Sequence, residues 1–319
     1  MKFDRIKILQ TGFIKVVIVC LLFCSITPIN NVQALEICGN AGDRYESFDV
    51  MGGEYRIHNN IWGSSPGNQC INVYPDSTYF PVTVSTHNTP GTVQSYPFIL
   101  KGVHFGGTNT LNSGLPIQVG SVVTAPFIWS VDPNGATGGW NISFESWFSS
   151  TGGTAPDKAE LMIWINYRNM SCGGTRVAQN VLIGGHRWDV YHASPWSTWE
   201  HYIAYKILTP VNYVNLDLKD FINDSLARGY LQNSWYLDNM EAGFELMQYG
   251  QNLTSKSFAA LVNDVFSTDF TDFAVFADQW LRSDCKGANG WCDGADYAPE
   301  DGVVDYYDLE EFVGYWLEE

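Results

Sequence analysis

A single glutamate heads a strongly alternating stretch in the middle of the chain, Glu160–Asn166. In an extended strand, successive side chains point to opposite faces. This strand therefore has an apolar face and a face that carries Glu160, Met162, Trp164 and Asn166. A carboxylate beside large flat side chains suits the cleavage of glycosidic bonds, because sugar rings rest on such surfaces. The alternative is a surface strand with a solvated glutamate.

Glu245 is the second candidate carboxylate, because cleavage with retention needs two carboxyl groups about 5 to 5.5 Å apart. It lies in Glu241–Tyr249, where alternation places it on one face with Gly243 and Met247. Glu241 shares that face and is a rival for the role. Gly243 lets a substrate or a neighbouring backbone approach, which favours Glu245. One glutamate would act as an ionised nucleophile, and the other as a protonated acid.

Glu145 is a third acidic candidate. It lies in Trp140–Phe148, on the polar face of a predicted strand. Close to Glu160 it would hold or share a proton with the nucleophile, because like charges at short range raise a pKa. The alternative is an ordinary exposed strand residue.

An aromatic platform for a sugar ring is predicted at Trp62, in the turn-like segment Asn59–Gly63. The alternative is a buried tryptophan. The histidines lack the serine or cysteine context of a hydrolase triad, and the chain has no Gly-x-Ser-x-Gly motif. These absences argue against a serine or cysteine nucleophile, and no cysteine or histidine spacing indicates a zinc site.

Short alternating runs separated by Gly, Pro, Asn and Ser predict the elements that position these residues. This pattern, from Glu36 to about Asp264, is typical of an all-β sandwich. The predicted strands include Tyr96–Gly102, Pro116–Phe127, Trp140–Phe148, Ala159–Tyr167, Glu200–Leu208 and Glu241–Tyr249. One helix is predicted over Leu216–Arg228, with Gly229 as its stop and the convex side of the sandwich as its position.

The N-terminus has the three parts of a secretory signal peptide: basic residues, the apolar run Phe13–Ile29, and Val32–Ala34. We therefore predict a signal peptide over residues 1–34 and an exported protein. Export favours disulfides, so we predict the pairs Cys38–Cys70 and Cys285–Cys292, with Cys172 free. No later segment approaches the length of a membrane span.

The C-terminal segment differs from the body in charge. Of the net charge of −17, residues 269 to 319 contribute −12, from 14 acidic and 2 basic residues. Such a charge argues against nucleic acid or an anionic membrane as partner. An apolar pattern at helical spacing occurs twice, 36 residues apart. Its members are Phe273, Phe276, Ala277, Trp280 and Leu281, and then Leu309, Phe312, Val313, Trp316 and Leu317. It predicts two helices with a shared apolar seam.

Between these helices lies an acidic stretch with a glycine, which predicts a calcium loop. The candidate ligands are Asp296, Asp301, Asp305 and Asp308. The spacing back from Gly302 is irregular for such a loop, and the alternative is an acidic, solvated linker.

Seven short motifs in order resemble glycoside hydrolase family 12. They are Asn59–Gly63, Gln69–Ile71, Gly102–Gly106, Leu115–Ile117, Glu160–Trp164, Arg187–Val190 and Ala242–Glu245. The resemblance covers residues 35–265. It implies a concanavalin-like β-jelly roll of two antiparallel sheets, an open cleft on the concave face, and retaining cleavage of β-1,4-glucans.

The resemblance also implies roles for single residues. Glu160 matches the nucleophile, Glu245 the acid/base and Glu145 an assisting carboxylate, although many members carry Asp at that position. The implied substrate contacts are Trp62, Asn60, Met162, Trp164, His104 and Met247. The Cys38–Cys70 pair resembles the disulfide of the family, whereas Phe105 stands where Trp is common.

Residues 266–319 resemble a dockerin-type duplicated calcium segment, which implies bound calcium and a cohesin-like docking partner. No cofactor is expected for catalysis, and we expect a monomer. The rival hypothesis for the body is a carbohydrate-binding module or lectin, because one sandwich fold supports many functions.

Overall fold

The computed structural model describes residues 34–39, 45–264, 276–277, 279–285, 292, 295–296, 302–306 and 308–309. Residues 1–33 of the predicted signal peptide lie outside the described residues. So do Asp301 of the predicted calcium loop and the second predicted helix beyond Leu309.

Seventeen strands are assigned within the described residues, and they form two sheets. The smaller sheet has six strands, in the spatial order β1 (Leu35–Gly39), β4 (Gln69–Val73), β5 (Phe80–Ser85), β17 (Thr254–Ala260), β8 (Pro126–Asp132) and β14 (Tyr213–Asp217). The all-β sandwich that the sequence predicts is therefore confirmed.

The larger sheet has a main path of nine strands and two short strands beside it. The main path is β11 (Thr175–Ile183), β12 (His186–Ala193), β13 (His201–Ile207), β10 (Ala159–Arg168), β9 (Gly138–Ser149), β16 (Asn239–Tyr249), β6 (Phe98–Gly102), β3 (Tyr55–His58) and β2 (Ser47–Val50). The short strands are β7 (Ile117–Gln118) and β15 (Tyr236–Leu237). Strands β10 and β13 pair in parallel, and the other pairs are antiparallel.

The core lies between the inner faces of the two sheets. Phe144 of β9 stacks on Phe127 of β8 with 4.0 Å between ring centroids, and Phe244 of β16 packs against Phe80 of β5. Burial of each such side chain contributes about 1.5 to 3 kcal/mol. Because strand side chains alternate, this packing fixes which residues of β9 and β16 point to the other face.

The one described α-helix, α1 (Leu218–Ala227), packs on the inner face of the larger sheet. Asp217 caps it by accepting a hydrogen bond from the Lys219 backbone N–H at 2.8 Å. Phe221 meets Trp188 and Tyr205 edge to face. The helix prediction is confirmed, but its first two residues belong to β14 instead.

The predicted strand over Pro116–Phe127 is wrong. The chain forms only the short β7 there, then a 3-10 turn over Val119–Ser121, and β8 begins at Pro126. The backbone N–H groups of Val119 and Gly120 donate to carbonyls of Trp235 and Asn233, so they bond a loop instead of a neighbouring strand. Alternation of side chains does not reveal such a bond.

Both predicted disulfides are present, Cys38–Cys70 between β1 and β4 and Cys285–Cys292 in the C-terminal segment. Cys172 is a free cysteine. Within the described part of the chain, no helix is long and apolar enough to cross a membrane.

In the C-terminal segment, Phe276 and Leu309 pack in one small apolar cluster with the disulfide and Val304. Leu281, predicted on the same helical face as Phe276, is 68% exposed and has a φ of +66°. The first predicted helix therefore does not reach Leu281.

Candidate active site

Three adjacent strands of the larger sheet carry the candidate carboxylates, with β9 between β10 and β16. Glu145 of β9 stands opposite Met162 of β10 on one side and opposite Glu241 of β16 on the other. We call this face of the sheet the carboxylate face; it bears Glu145, Glu160, Glu241 and Glu245. Glu160 and Glu245 thus flank one strand from its two sides.

Alternation along β10 correctly predicts which of its side chains lie on the carboxylate face, as far as Trp164. Leu161 and Ile163 pack in the main core, whereas Met162 and Trp164 form a separate cluster on the other face. The prediction for Asn166 is wrong, because a bulge shifts the register and pairs it with Ile142, a core residue of β9.

Glu160 is 8% exposed and stands opposite Trp147. Burial raises the pKa of its carboxyl well above the usual range, and the charges of Glu245 and Glu241 raise it further. The indole N–H of Trp199 acts in the opposite direction and lowers this pKa. That N–H is buried, and among the described residues it has no hydrogen bond of ordinary geometry.

Glu245 is half-buried, and its carboxylate accepts a hydrogen bond from the side-chain amide of Asn141. Burial raises the pKa of Glu245 to about 7, and the Asn141 amide limits this rise. A carboxyl with this pKa is protonated in weak acid and gives up its proton near neutrality. It can therefore both donate and accept a proton.

Glu145 is 4% exposed, so the alternative of an ordinary exposed strand residue is wrong. Burial raises its pKa well above the usual range, and the charges of Glu245, Glu160 and Glu241 add to the effect. Its one described hydrogen bond comes from the Ser143 hydroxyl at 3.1 Å. The charges of Glu245 and Glu160 act on Glu145, and that of Glu245 acts on Glu160, so these three carboxyls lie within Coulomb range.

Trp62 supplies exposed aromatic surface after β3. Its side chain is 46% exposed, so the alternative of a buried tryptophan is wrong. Its backbone N–H donates to Gln94 at 3.1 Å, which fixes the segment. Asn60 is 7% exposed and takes a positive φ of 37° in the same segment. A flat ring held on a fixed backbone is suited to stacking against a sugar.

The other predicted substrate contacts differ in exposure. His104 is half-buried, and its Nδ1 lies 2.8 Å from Glu241 Oε1. Met162 and Trp164 are each 1% exposed and lie in a cluster with Tyr202, and Met247 is 9% exposed. Trp62 and His104 are therefore the more accessible members of the predicted set.

The backbone at Gly243 lies very close to the chain just before β6. A Cβ added there would lie 2.4 Å from the carbonyl oxygen of Pro97, just before β6. Of the two partners that the sequence left open, substrate or backbone, the structure shows the backbone.

Two aromatic residues beside Glu160 were not predicted as site residues. Trp147 meets Phe105 and Trp199 edge to face, each with 4.8 Å between ring centroids. Trp147 shares the alternation of Glu145, which is a signal in the sequence. Trp199 comes from the loop before β13, and no periodic pattern points to it.

Buried carboxyls on one face of a β-sandwich, together with an exposed aromatic ring after β3, are typical of the class of carbohydrate-active β-sandwich proteins. The family model for glycosyl hydrolase family 12 matches residues 53–263, and the chain belongs to this family. The predicted resemblance is thereby confirmed for the body of the chain.

The chain is similar to several proteins that are named as glucanases. The structure of endoglucanase cel12A from Rhodothermus marinus has 40% identity and a TM-score of 0.66, covering 72% of this chain and all of that one. Endoglucanase S of Pectobacterium parmentieri is 26% identical, covering 60% of this chain and 76% of its own length. The xyloglucan-specific endo-beta-1,4-glucanase A of Emericella nidulans is also 26% identical, covering 60% of this chain and 79% of its own length.

Proposed function

We propose that this protein is an exported endo-β-1,4-glucanase that cleaves β-glucans with retention of configuration. The observation that carries the proposal is the position of Glu160 and Glu245 on either side of β9, on one face and within electrostatic range. Relatives described as endoglucanases and as a xyloglucan-specific endoglucanase support the same class of substrate.

In the proposed reaction, Glu160 attacks the anomeric carbon and forms a glycosyl ester. The bond to the leaving oxygen breaks as Glu245 donates its proton to that oxygen. Glu245 then takes a proton from water, the water oxygen attacks the anomeric carbon, and the ester bond to Glu160 breaks. Glu160 must be ionised while Glu245 is protonated, so bound substrate has to favour that arrangement of charge. Glu145 assists by holding a proton beside Glu160.

The direct test is Glu160→Gln, with new reducing ends measured on barley β-glucan, carboxymethylcellulose and xyloglucan. We expect turnover to be abolished while the thermal unfolding curve stays near that of the unmodified protein. Glu36→Gln, an exposed carboxylate of β1 in the other sheet, is the matched control and should keep full activity. Retained activity in Glu160→Gln on any of these glucans would sink the assignment.

The same panel addresses the substrate and the rival function. Relative rates on the three glucans identify the preferred one, because a branched glucan is accepted only where loops leave room for xylose. Binding without new reducing ends on any of them would favour a carbohydrate-binding protein, in which the exposed Trp62 would supply a surface for stacking.

We further propose that the C-terminal segment binds calcium and docks on a cohesin-like partner. Asp296 and Asp308 are 3% and 2% exposed, and carboxylate oxygens are the ligands that calcium prefers. Asp296 accepts a hydrogen bond from the Gly302 N–H, and Asp308 from that of Asp305. Titration of the full chain with calcium should raise its unfolding temperature, and Asp296→Asn should reduce the rise. An unchanged unfolding temperature would count against the site.

A further inference from the structure

Glu241 is the one carboxylate of the carboxylate face to which the proposed reaction gives no role. It is fully buried. Its Oε1 accepts a hydrogen bond from Asn239 Nδ2 at 2.7 Å. The same oxygen lies 2.8 Å from His104 Nδ1. Hydrogen bonds from N–H groups favour the ionised form of a carboxyl. Its Oε2 is buried and has no hydrogen-bond partner in the described part of the chain, so the described polar contacts of this carboxyl are those to Oε1.

Two further hydrogen bonds of the Asn239 side chain hold this arrangement in place. Its Nδ2 also donates to the Val103 carbonyl at 2.9 Å, and its Oδ1 accepts from the Trp147 N–H at 2.9 Å. Val103 precedes His104, and Trp147 stands opposite Glu160. The support of Glu241 is therefore tied to β9 and to the segment that follows β6.

Glu241 and Glu145 form a buried pair with unequal support. They are opposite each other on adjacent strands, where Cβ atoms are about 4.5 to 5.5 Å apart. Two buried carboxyls at that distance do not readily ionise together. Glu241 has N–H donors, whereas Glu145 has a single described bond, from the Ser143 hydroxyl. The proton of the pair therefore belongs on Glu145.

We propose that Glu241 is a positioning residue that, held by His104 and Asn239, keeps the proton on Glu145. Neutral Glu145 leaves Glu160 free to carry the negative charge of the nucleophile. The inference rests on the proposed function, since it assigns the charge that the nucleophile needs. The titratable groups around Glu145 are Glu160 from β10, Glu241 and Glu245 from β16, and Tyr96 before β6. His104, after β6, faces Glu241 and lies beside His58 of β3.

The test measures attack by the nucleophile separately from proton donation by the acid. With 2,4-dinitrophenyl β-cellobioside the leaving group needs no proton, so the burst of dinitrophenolate reports attack by the nucleophile without Glu245. In Glu241→Gln, Glu145 loses a neighbouring charge and ionises at lower pH. Ionisation of Glu145 removes the neutral carboxyl that the proposal places beside the attacking Glu160, so attack should slow and the alkaline limb of the burst rate should move down by roughly 1 to 2 pH units.

A double variant separates this effect from damage to the fold. In a Glu145→Gln background residue 145 cannot titrate, so adding Glu241→Gln should leave the alkaline limb where the single Glu145→Gln variant has it. A merely structural role for Glu241 would reduce the rate equally in both backgrounds. His104→Gln removes the imidazole that supports Glu241 and should move the limb in the same direction as Glu241→Gln, by a smaller amount.

The outcomes distinguish the two proposals. If the unmodified protein gives no burst and no reducing ends, the proposed function fails. If it gives a burst and Glu241→Gln leaves the alkaline limb unchanged, or moves it equally in the Glu145→Gln background, the inference about Glu241 is overturned. Thermal unfolding of each variant, with Glu36→Gln as control, shows whether a lost burst reflects a lost fold.

Discussion

The hydrogen bond from Asn141 to Glu245 lowers the upper pH limit of the proposed reaction. Burial raises the pKa of Glu245 to about 7, while the Asn141 amide stabilises the ionised form and lowers it. Removing the amide in Asn141→Ala should therefore raise this pKa. A hydrogen bond to a charged group is worth about 1.5 to 3 kcal/mol, and 1.36 kcal/mol corresponds to one pKa unit. Because Glu245 is only half-buried, we expect the lower end, an increase of about one unit.

The assay is the pH dependence of kcat/KM on soluble barley β-glucan, because its alkaline limb follows the proton of the acid in the free enzyme. The limb should move from about 7 to about 8 in Asn141→Ala. Asn215→Ala, an exposed asparagine on β14 of the other sheet, is the matched control and should leave the limb in place. An alkaline limb that stays or moves down in Asn141→Ala would refute the reasoning.

Three further predictions concern stability and binding. Phe144→Ala should lower the free energy of unfolding in urea by about 3 to 5 kcal/mol, because it removes the ring stacked on Phe127; a loss below about 1 kcal/mol would contradict the packing. The raised pKa values of Glu145 and Glu160 stabilise the fold below their unfolded pKa of about 4.3, and this stability is lost as pH rises through the folded values. The unfolding temperature should thus be lower at pH 8 than at pH 5, with a smaller difference in Glu145→Gln, and an equal difference in both proteins would exclude Glu145 as a cause. Trp62→Ala should raise KM on barley β-glucan several-fold with little change in kcat, and Trp62→Phe should raise it less; an unchanged KM would exclude stacking at Trp62.

Regular strands are the part of this protein that its sequence predicts well. Alternation is a local property, so the faces of β9 and of β10 as far as Trp164 follow from the order of residues alone. It fails at Asn166, where a bulge changes the register, because a bulge depends on hydrogen bonds between strands. It fails in the same way at Val119, whose N–H bonds a distant loop.

The sequence does not predict the environment of each carboxylate, because that environment also depends on contacts between residues far apart in the chain. Glu241 and Glu245 share one face of β16, and alternation cannot tell which one is covered. One partner of the covered Glu241 is His104, which lies 137 positions away in the chain. Trp199 reaches Glu160 from a loop, and loops carry no periodic signal.

Strand β9 supplies one partner to each carboxylate that the proposed reaction uses. Asn141 bonds Glu245, and Trp147 stands opposite Glu160, with Glu145 between them. A slip of one residue would turn all of these side chains into the core, and the core residues of β9 prevent that slip. Packing of Phe144 therefore does more than stabilise the sandwich. It holds the register in which burial raises the pKa values of the three carboxyls, with like charge adding to those of Glu145 and Glu160 and Asn141 limiting that of Glu245. A loosened β9 core should therefore broaden the pH profile as well as lower stability.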